Sequence, residues 1–129
     1  MTPEKFLQEY ETSTRAHGLE HTFSLIDKNA VYWFSDGTCH VGKKAIEEVI
    51  QYNFENIQDE TYQICDVEWI DKSADIAVCI FRFEWSGIVR GKTASGFGRG
   101  TLVLSRRSDS WVVMHEHLSK GEHKSRKIN

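Results

Sequence analysis

Three groups that can exchange protons stand side by side near the C-terminus, as His115, Glu116 and His117. They lie in a segment of alternating character, 110–119, which predicts a β-strand. On a strand the two histidines project from one face and the glutamate from the other. A carboxyl group among apolar neighbours has a raised pKa and could act as a general acid or base. Two imidazoles on one face could bind a metal ion or join a hydrogen-bond network.

The same alternation assigns the rest of this strand to two faces. Trp111, Val113 and Ser119 should share the face of the histidines, and Val112, Met114 and Leu118 should share the face of Glu116. Both faces are largely apolar, which is typical of a central strand covered on both sides. Buried polar groups need partners, so this strand should belong to a polar core network or to the wall of a pocket.

The histidines do not predict a metal site. A zinc site needs at least a third protein ligand, and the other histidines of the body, His17, His21 and His40, have no supporting spacing. We therefore expect no metal and no cofactor, and we assign His115 and His117 to a hydrogen-bonded network on the outer face of a sheet, at a dimer interface.

Arg82 is a second candidate because it lies in the middle of an apolar run, 77–85. An arginine is costly to bury without a partner. It could anchor the carboxylate or phosphate of a ligand. Alternatively, it could form a structural ion pair with Glu116 or Glu84. The sequence leaves both interpretations open.

The surrounding pattern predicts the elements that position these residues. The N-terminal helix is capped by Thr2 and ends at Gly18, and a short helix follows over about 19–26. The remaining elements are a strand over 29–35, a turn at Asp36-Gly37, a strand over 39–41, a helix over about 42–55, and strands over about 61–70, 75–85, 92–106 and 110–119. This order predicts an α+β fold, a cone-shaped, strongly bent antiparallel sheet of about six strands with three helices on its concave face.

Length and composition indicate one ordinary globular domain, 1–119, followed by a basic and flexible tail, 120–129. The net charge is −3, and because the tail is basic the body is more acidic than that value, which disfavours a nucleic-acid partner. No apolar run is long enough to span a membrane and no secretory segment is evident, so we expect a cytoplasmic protein. The three cysteines are expected to be buried, reduced thiols.

Several segments, in this order and spacing, resemble a known superfamily. They are Asp-Lys-Asn-Ala-Val-Tyr-Trp-Phe at 27–34 leading to Gly42, Ala45-Ile46 at the start of a helix, Thr-Leu-Val-Leu at 101–104 before Arg106-Arg107, and Trp111 through Ser119. Together they resemble the nuclear-transport-factor-2-like superfamily, in its SnoaL-like branch, over about 3–119. The closing strand and Phe-Glu-Asn-Ile at 54–57 also resemble the association domain of calcium/calmodulin-dependent protein kinase II.

The resemblance implies a pocket between the helices and the concave face, with Arg82 and Glu116 facing it. Tyr10 takes the position of the catalytic tyrosine of ketosteroid isomerase, whereas Trp33 occupies the position of the base. Tryptophan cannot accept that proton, so isomerase chemistry is not expected. Tyr10 and Trp33 then line the pocket or belong to the core. The expected pocket residues are Tyr10, Trp33, Ile50, Phe54, Arg82, Glu116 and Leu118, with Glu116 as the candidate catalytic group.

Two functions are compatible with the sequence. The first is a small-molecule-binding protein, an enzyme of undetermined reaction or a carrier, whose apolar pocket with a few polar groups takes a small apolar or anionic ligand. The alternative is a dimeric interaction or assembly module without catalysis. The resemblance implies a homodimer through the sheet, whose outer face we expect to carry Trp111, His115 and His117 beside Phe81, Phe83 and Trp85. We expect neither a nucleic acid nor a membrane as a partner.

Overall fold

The computed structural model describes residues 1–121. Its elements, in chain order, are α1 (Pro3–Arg15), α2 (Leu19–Ser24), β1 (Ile26–Trp33), β2 (Cys39–Val41), α3 (Lys43–Asn56), β3 (Ile57–Lys72), β4 (Ile76–Val89), β5 (Lys92–Arg107) and β6 (Ser110–Lys120). The predicted elements and their order are confirmed, with bounds that shift by a few residues. Most of the predicted basic tail, 122–129, lies outside the described residues. No helix within residues 1–121 is long and apolar enough to cross a membrane.

The six strands form one curled sheet in the order β2-β1-β6-β5-β4-β3. All neighbouring strands are antiparallel except β1 and β6, which run parallel. The core lies between one face of this sheet and the helices, among residues such as Phe6, Ile46 and Leu104. The predicted α+β class is confirmed. Strand β6 is a central strand, because it lies between β1 and β5 in the sheet.

Helix α1 begins as the sequence predicts. The Thr2 side chain accepts a hydrogen bond from the backbone N–H of Lys5 at 3.1 Å, and Pro3 occupies the first turn. The buried face of the helix includes Phe6 and Tyr10. The cap therefore fixes the start of the helix that carries Tyr10 into the core.

Strand β6 does not alternate throughout, because it contains a bulge. Its register with β5 shifts between Val103, which pairs with His115, and Leu104, which pairs with Val113. Met114 is the extra residue, and an extra residue moves every later side chain to the opposite face.

The bulge corrects the predicted assignment of faces. Trp111 and Glu116 are both buried on the inner face, whereas His117 is exposed on the outer face. The prediction that Trp111 shares a face with the histidines is therefore wrong. The prediction that the histidines lie on the outer face agrees with the structure.

The aromatic residues of β4 also lie on the inner face, where we did not expect them. The sequence had suggested Phe81, Phe83 and Trp85 as part of an outer surface. In the structure, Phe81 and Phe83 are 3% and 4% exposed. Each pairs in register with a glycine of β5, Phe81 with Gly100 and Phe83 with Gly98. A Cβ added at Gly100 would lie 2.3 Å from Cζ of Phe81, so the glycines leave the space that the rings occupy.

The three cysteines are free thiols, of which Cys79 is buried, Cys65 is partly buried and Cys39 is exposed. The expectation that all three are buried is wrong, because Cys39 lies on the edge strand β2, where one side of the chain has no neighbouring strand.

Candidate functional site

A cavity of about 310 Å³ opens between the helices and the inner face of the sheet. Most of its wall is apolar, and the apolar residues include Phe34, Ile50, Phe54, Phe83, Trp85 and Leu118. A wider and more open groove of about 1040 Å³ adjoins it and shares Ser35, Tyr62, Phe83 and Trp85 with it. Two of the polar groups that line the inner cavity, the carboxyl groups of Glu116 and Glu60, are largely buried.

Glu116 forms the first polar group of the cavity, together with two tyrosines. Oε1 of Glu116 accepts a hydrogen bond from the hydroxyl of Tyr10 at 2.7 Å. That hydroxyl is also 2.9 Å from the hydroxyl of Tyr32. The three side chains come from β6, α1 and β1, and all three are buried. The fold thus brings together a continuous hydrogen-bonded chain from elements that are far apart in sequence.

Burial controls the protonation of this chain. It raises the pKa of Glu116 to about 7, and the hydrogen bond from Tyr10 only partly opposes that shift. Burial also raises the pKa of Tyr10 and of Tyr32 well above the usual value, and the nearby charge of Glu116 raises both further. Near neutral pH, Glu116 is therefore the member of the chain that gains or loses a proton.

The second carboxyl oxygen of Glu116 reaches the cavity. Oε2 makes no hydrogen bond to any residue within 1–121. Among the same residues, no fully enclosed side-chain oxygen or nitrogen lacks a partner. Since Glu116 is only 4% exposed and lines the cavity, its unpaired oxygen must be accessible from there. A bound molecule could meet it directly.

The direction of the hydrogen bonds depends on the charge of Glu116, because each hydroxyl has one proton to donate. When Glu116 is anionic, Tyr10 donates to it and Tyr32 donates to Tyr10, so no hydroxyl proton of this pair remains for a ligand. When Glu116 is protonated, it can donate, either through the tyrosines or from its own accessible oxygen. The protonated site therefore suits a ligand that accepts a hydrogen bond, and the anionic site suits a ligand that donates one.

Five of the seven residues proposed from the sequence line this cavity, namely Tyr10, Ile50, Phe54, Glu116 and Leu118. Trp33 and Arg82 do not. The sequence assigned both to the pocket by resemblance, and the strand register places each on the opposite face of the sheet.

Arg82 is exposed on the outer face of β4, where it pairs in register with Arg99 of β5. It forms no ion pair with any residue in the described part of the chain. The proposed pair with Glu116 is therefore wrong, as are the pair with Glu84 and the role of a pocket anchor for anions. The physical reason is the period of the strand, since Phe81 and Phe83 on either side are the inward residues.

Trp33 is 44% exposed and belongs to an outer cluster with the two histidines. Its ring centroid lies 5.1 Å from that of His115 and 5.0 Å from that of His117, in edge-to-face contacts. Nδ1 of His115 lies 2.7 Å from the carbonyl oxygen of Val31. No three potential metal ligands come together anywhere in residues 1–121.

The sequence missed most of the polar residues of the cavity, among them Tyr32, Tyr62 and Glu60. Tyr32 could have been found by alternation, because Ala30 and Tyr32 share the buried face of β1 while Trp33 does not. Glu60 had no comparable signal. It follows Asp59, whose positive φ of 51° interrupts the strand pattern at the start of β3.

The SnoaL-like domain family matches residues 4–121, almost the whole chain. The chain belongs to the SnoaL-like family. No curated protein matches the sequence significantly. Among solved structures, a nuclear transport factor 2-like superfamily protein from Salmonella enterica is 16% identical with a TM-score of 0.81, covering 94% of this chain and 89% of that one.

Two further solved structures share this fold. A ketosteroid isomerase-like protein from Erwinia carotovora atroseptica is 21% identical with a TM-score of 0.77, covering 91% of this chain and 92% of that one. A protein provisionally assigned as a calcium/calmodulin dependent protein kinase II association domain, from Xanthomonas campestris, is 14% identical with a TM-score of 0.78, covering 92% and 84%. At these identities the likeness establishes the fold alone.

Proposed function

We propose that this SnoaL-like chain binds a small, mainly apolar molecule in the inner cavity and exchanges a proton or a hydrogen bond with it through Glu116. The observation that carries the proposal is the buried chain of Glu116, Tyr10 and Tyr32, with one carboxyl oxygen left open to the cavity. An isolated carboxyl group is costly to bury, and its pKa of about 7 suits a general acid or base near neutral pH.

The cavity restricts the size and the polarity of the molecule. Its volume of about 310 Å³ lies at the lower end of the range for ligand pockets, roughly 300–1,000 Å³. The wall is mostly aromatic and aliphatic. We infer a ligand with one ring or two fused rings and with a carbonyl or hydroxyl group directed at Glu116. The chemistry that this site can perform on such a ligand is proton transfer at that group.

The binding of 2-acetylnaphthalene tests this proposal, because this compound accepts hydrogen bonds and has no group that titrates. Calorimetry should show the tightest binding below about pH 6 and a loss of affinity as the pH rises through about 7, where Glu116 loses its proton. Glu116→Gln should bind with an affinity that no longer depends on pH. Glu55→Gln, which changes an exposed carboxyl group on α3, should behave as the wild-type protein does.

Absence of binding at every pH, or equal pH dependence in the wild-type protein and in Glu116→Gln, would contradict the proposal.

A second candidate function, a dimeric interaction module, is favoured by the outer face of the sheet. Trp33, His117, Thr101 and Ile80 form a row across four neighbouring strands. Trp33 and Ile80 are 44% and 37% exposed, and the helices of the described part pack on the other face. We propose that a second copy of the chain covers this row. Such a homodimer is compatible with a ligand in the inner cavity.

A further inference from the structure

Glu60 is a second carboxyl group in the wall of the inner cavity. Its side chain is 9% exposed, and it lies on the inner face of β3 two residues before Tyr62, which also lines the cavity. The register between β3 and β4 shifts between Gln58 and Thr61, at the left-handed residue Asp59. This irregularity at the start of the strand fits an extra residue there, which changes the face from which the following side chains project.

His17 binds Glu60 from outside the cavity wall. Nε2 of His17 donates a hydrogen bond to Oε1 of Glu60 at 2.5 Å, and the imidazole stacks on the ring of Phe54 with centroids 4.2 Å apart and planes 7° apart. Phe54 lines the cavity and His17 does not. The other oxygen of Glu60 makes no hydrogen bond within residues 1–121, and it is not fully enclosed.

Glu60 and Glu116 differ in what accompanies them. Glu116 is joined to two hydroxyl groups, which can reverse their hydrogen bonds when it takes a proton. Glu60 is joined to an imidazole that opposes protonation. Burial raises the pKa of Glu60, and both the hydrogen bond and the charge of His17 lower it. The hydrogen bond and the charge of His17 thus offset part of the shift that burial causes in the pKa of Glu60.

We propose that Glu60 is a second ligand-binding carboxylate and that His17 positions it. Glu60 accepts a hydrogen bond from a hydroxyl or amino group of the ligand, and another polar group of the same ligand contacts Glu116. This inference rests on the proposed function and narrows its ligand class to carbonyl or hydroxyl compounds of one or two rings with a second, donating substituent. A charged acceptor in a mostly apolar wall favours a ligand with such a donor over a purely apolar one of equal shape.

The other titratable groups of the cavity would not produce the ligand preference that is expected of Glu60. They are Tyr10, Tyr32, Asp36, Tyr62 and Glu116. The three tyrosines have a raised pKa, and Asp36 is exposed and bound to Thr38, which lowers its pKa. Neither α3 nor β4 adds a titratable side chain to the wall. Glu116 also changes its protonation near neutral pH. Its effect on affinity cancels when two compounds with the same carbonyl group are compared.

The test uses 2-acetylnaphthalenes with a hydroxymethyl group at ring position 5, 6 or 7, each paired with the ethyl analogue of the same shape. In the wild-type protein at pH 7, at least one hydroxymethyl compound should bind about tenfold more tightly than its ethyl analogue, the size expected for a hydrogen bond to a charged group. Glu60→Gln should reduce that ratio to about threefold or less. Glu55→Gln should leave the ratio unchanged, and Glu116→Gln should retain it while losing the pH dependence of the parent compound.

His17→Phe separates positioning from simple structural support, because it keeps an aromatic ring for the stack on Phe54 and removes the N–H. Without His17 the pKa of Glu60 should rise further, so the preference for hydroxymethyl should be lost at a higher pH than in the wild-type protein and recovered when the pH is raised. A preference in His17→Phe that equals the wild-type preference at every pH would overturn the role of His17.

The wild-type protein gives an independent result if a variant fails to fold. Its hydroxymethyl preference should diminish as the pH falls, because Glu60 takes up a proton and is then no longer a charged acceptor. Equal binding of hydroxymethyl and ethyl compounds by the wild-type protein at all positions and pH values would overturn the role of Glu60 and leave the proposed function intact, provided that 2-acetylnaphthalene binds as expected. If none of the compounds binds, both proposals are wrong.

Discussion

Glu116 combines burial with an oxygen that no other residue of the described chain satisfies. The side chain is 4% exposed, yet only one of its oxygens has a hydrogen-bond partner. If Glu116 served the fold alone, an apolar side chain of similar volume at this position would make the protein more stable. The arrangement is therefore a cost to stability, and that cost can be measured.

Stability should depend on pH through Glu116. Its pKa is about 7 in the folded protein, against an ordinary value of 4.5 that we take for the unfolded chain. The folded state therefore holds this proton more tightly, so the stabilising contribution is complete below about pH 4.5 and is lost as the pH rises through about 7. The free energy of unfolding should fall by roughly 3 kcal/mol over this range.

Glu116→Gln should remove most of that decline, as measured by chemical denaturation at pH 5, 6, 7 and 8. The comparison with Glu60→Gln isolates the contribution of Glu60, whose pKa is also raised. Parallel pH profiles for the wild-type protein and Glu116→Gln would show that Glu116 is already ionised in the folded state at pH 5.

Sequence reasoning placed Glu116 in the pocket correctly and Arg82 incorrectly, although the resemblance implied the same inward direction for both. Apolar neighbours did not distinguish them, because Arg82 also lies in an apolar run. Phe81 and Phe83 on either side of Arg82 are large apolar residues, and they occupy the inner face instead. Tyr32 was missed because the neighbouring Trp33 was assigned to the pocket, and one position decides the face of a strand residue.

At the scale of elements, the bulge in β6 and the glycines of β5 decide which side chains reach the cavity. Without the extra residue Met114, Glu116 and Trp111 could not both lie on the inner face. The bulge could not be predicted from the alternation of β6, because it becomes evident only in the register between β5 and β6. The glycines could be seen in the sequence, but their aromatic partners on β4 became evident only with the register.

Gly100→Ala should destabilise the protein by roughly 1–3 kcal/mol, the usual cost of overpacking. The added methyl group would lie 2.3 Å from Cζ of Phe81 and would force that ring away from the sheet. Thermal or chemical denaturation measures the effect, with Ser95→Ala at an exposed position of the same strand as the control. A change of less than about 0.5 kcal/mol, typical of surface substitutions, would contradict the packing of Phe81 on Gly100.

At the scale of the whole molecule, the sequence predicted the class of fold, the six strands and the three helices, because strong turn signals separate strongly patterned segments. It did not predict which face of each strand points inward along its whole length. The cavity depends on those faces, so the fold was more predictable than the site.

The outer face should hold two copies of the chain together. The exposed row carries two large apolar side chains, Trp33 and Ile80, and no helix of the described part covers it. Light scattering at micromolar concentration should give the mass of a dimer, and Ile80→Lys should give the mass of a monomer. Lys44→Glu on the exposed side of α3 serves as a control that should remain dimeric. A monomeric wild-type protein would refute this interface.

The central claim is that Glu116 exchanges its proton in response to a ligand in the inner cavity, and NMR of the carboxyl carbon of Glu116 tests it most directly. The free protein should show a pKa of about 7 for this group. Saturation with 2-acetylnaphthalene should raise that pKa, because the carbonyl group binds the protonated form, and Tyr10→Phe should raise it in the free protein by removing a hydrogen bond that stabilises the carboxylate. A pKa near 4.5 that the compound leaves unchanged would contradict the account.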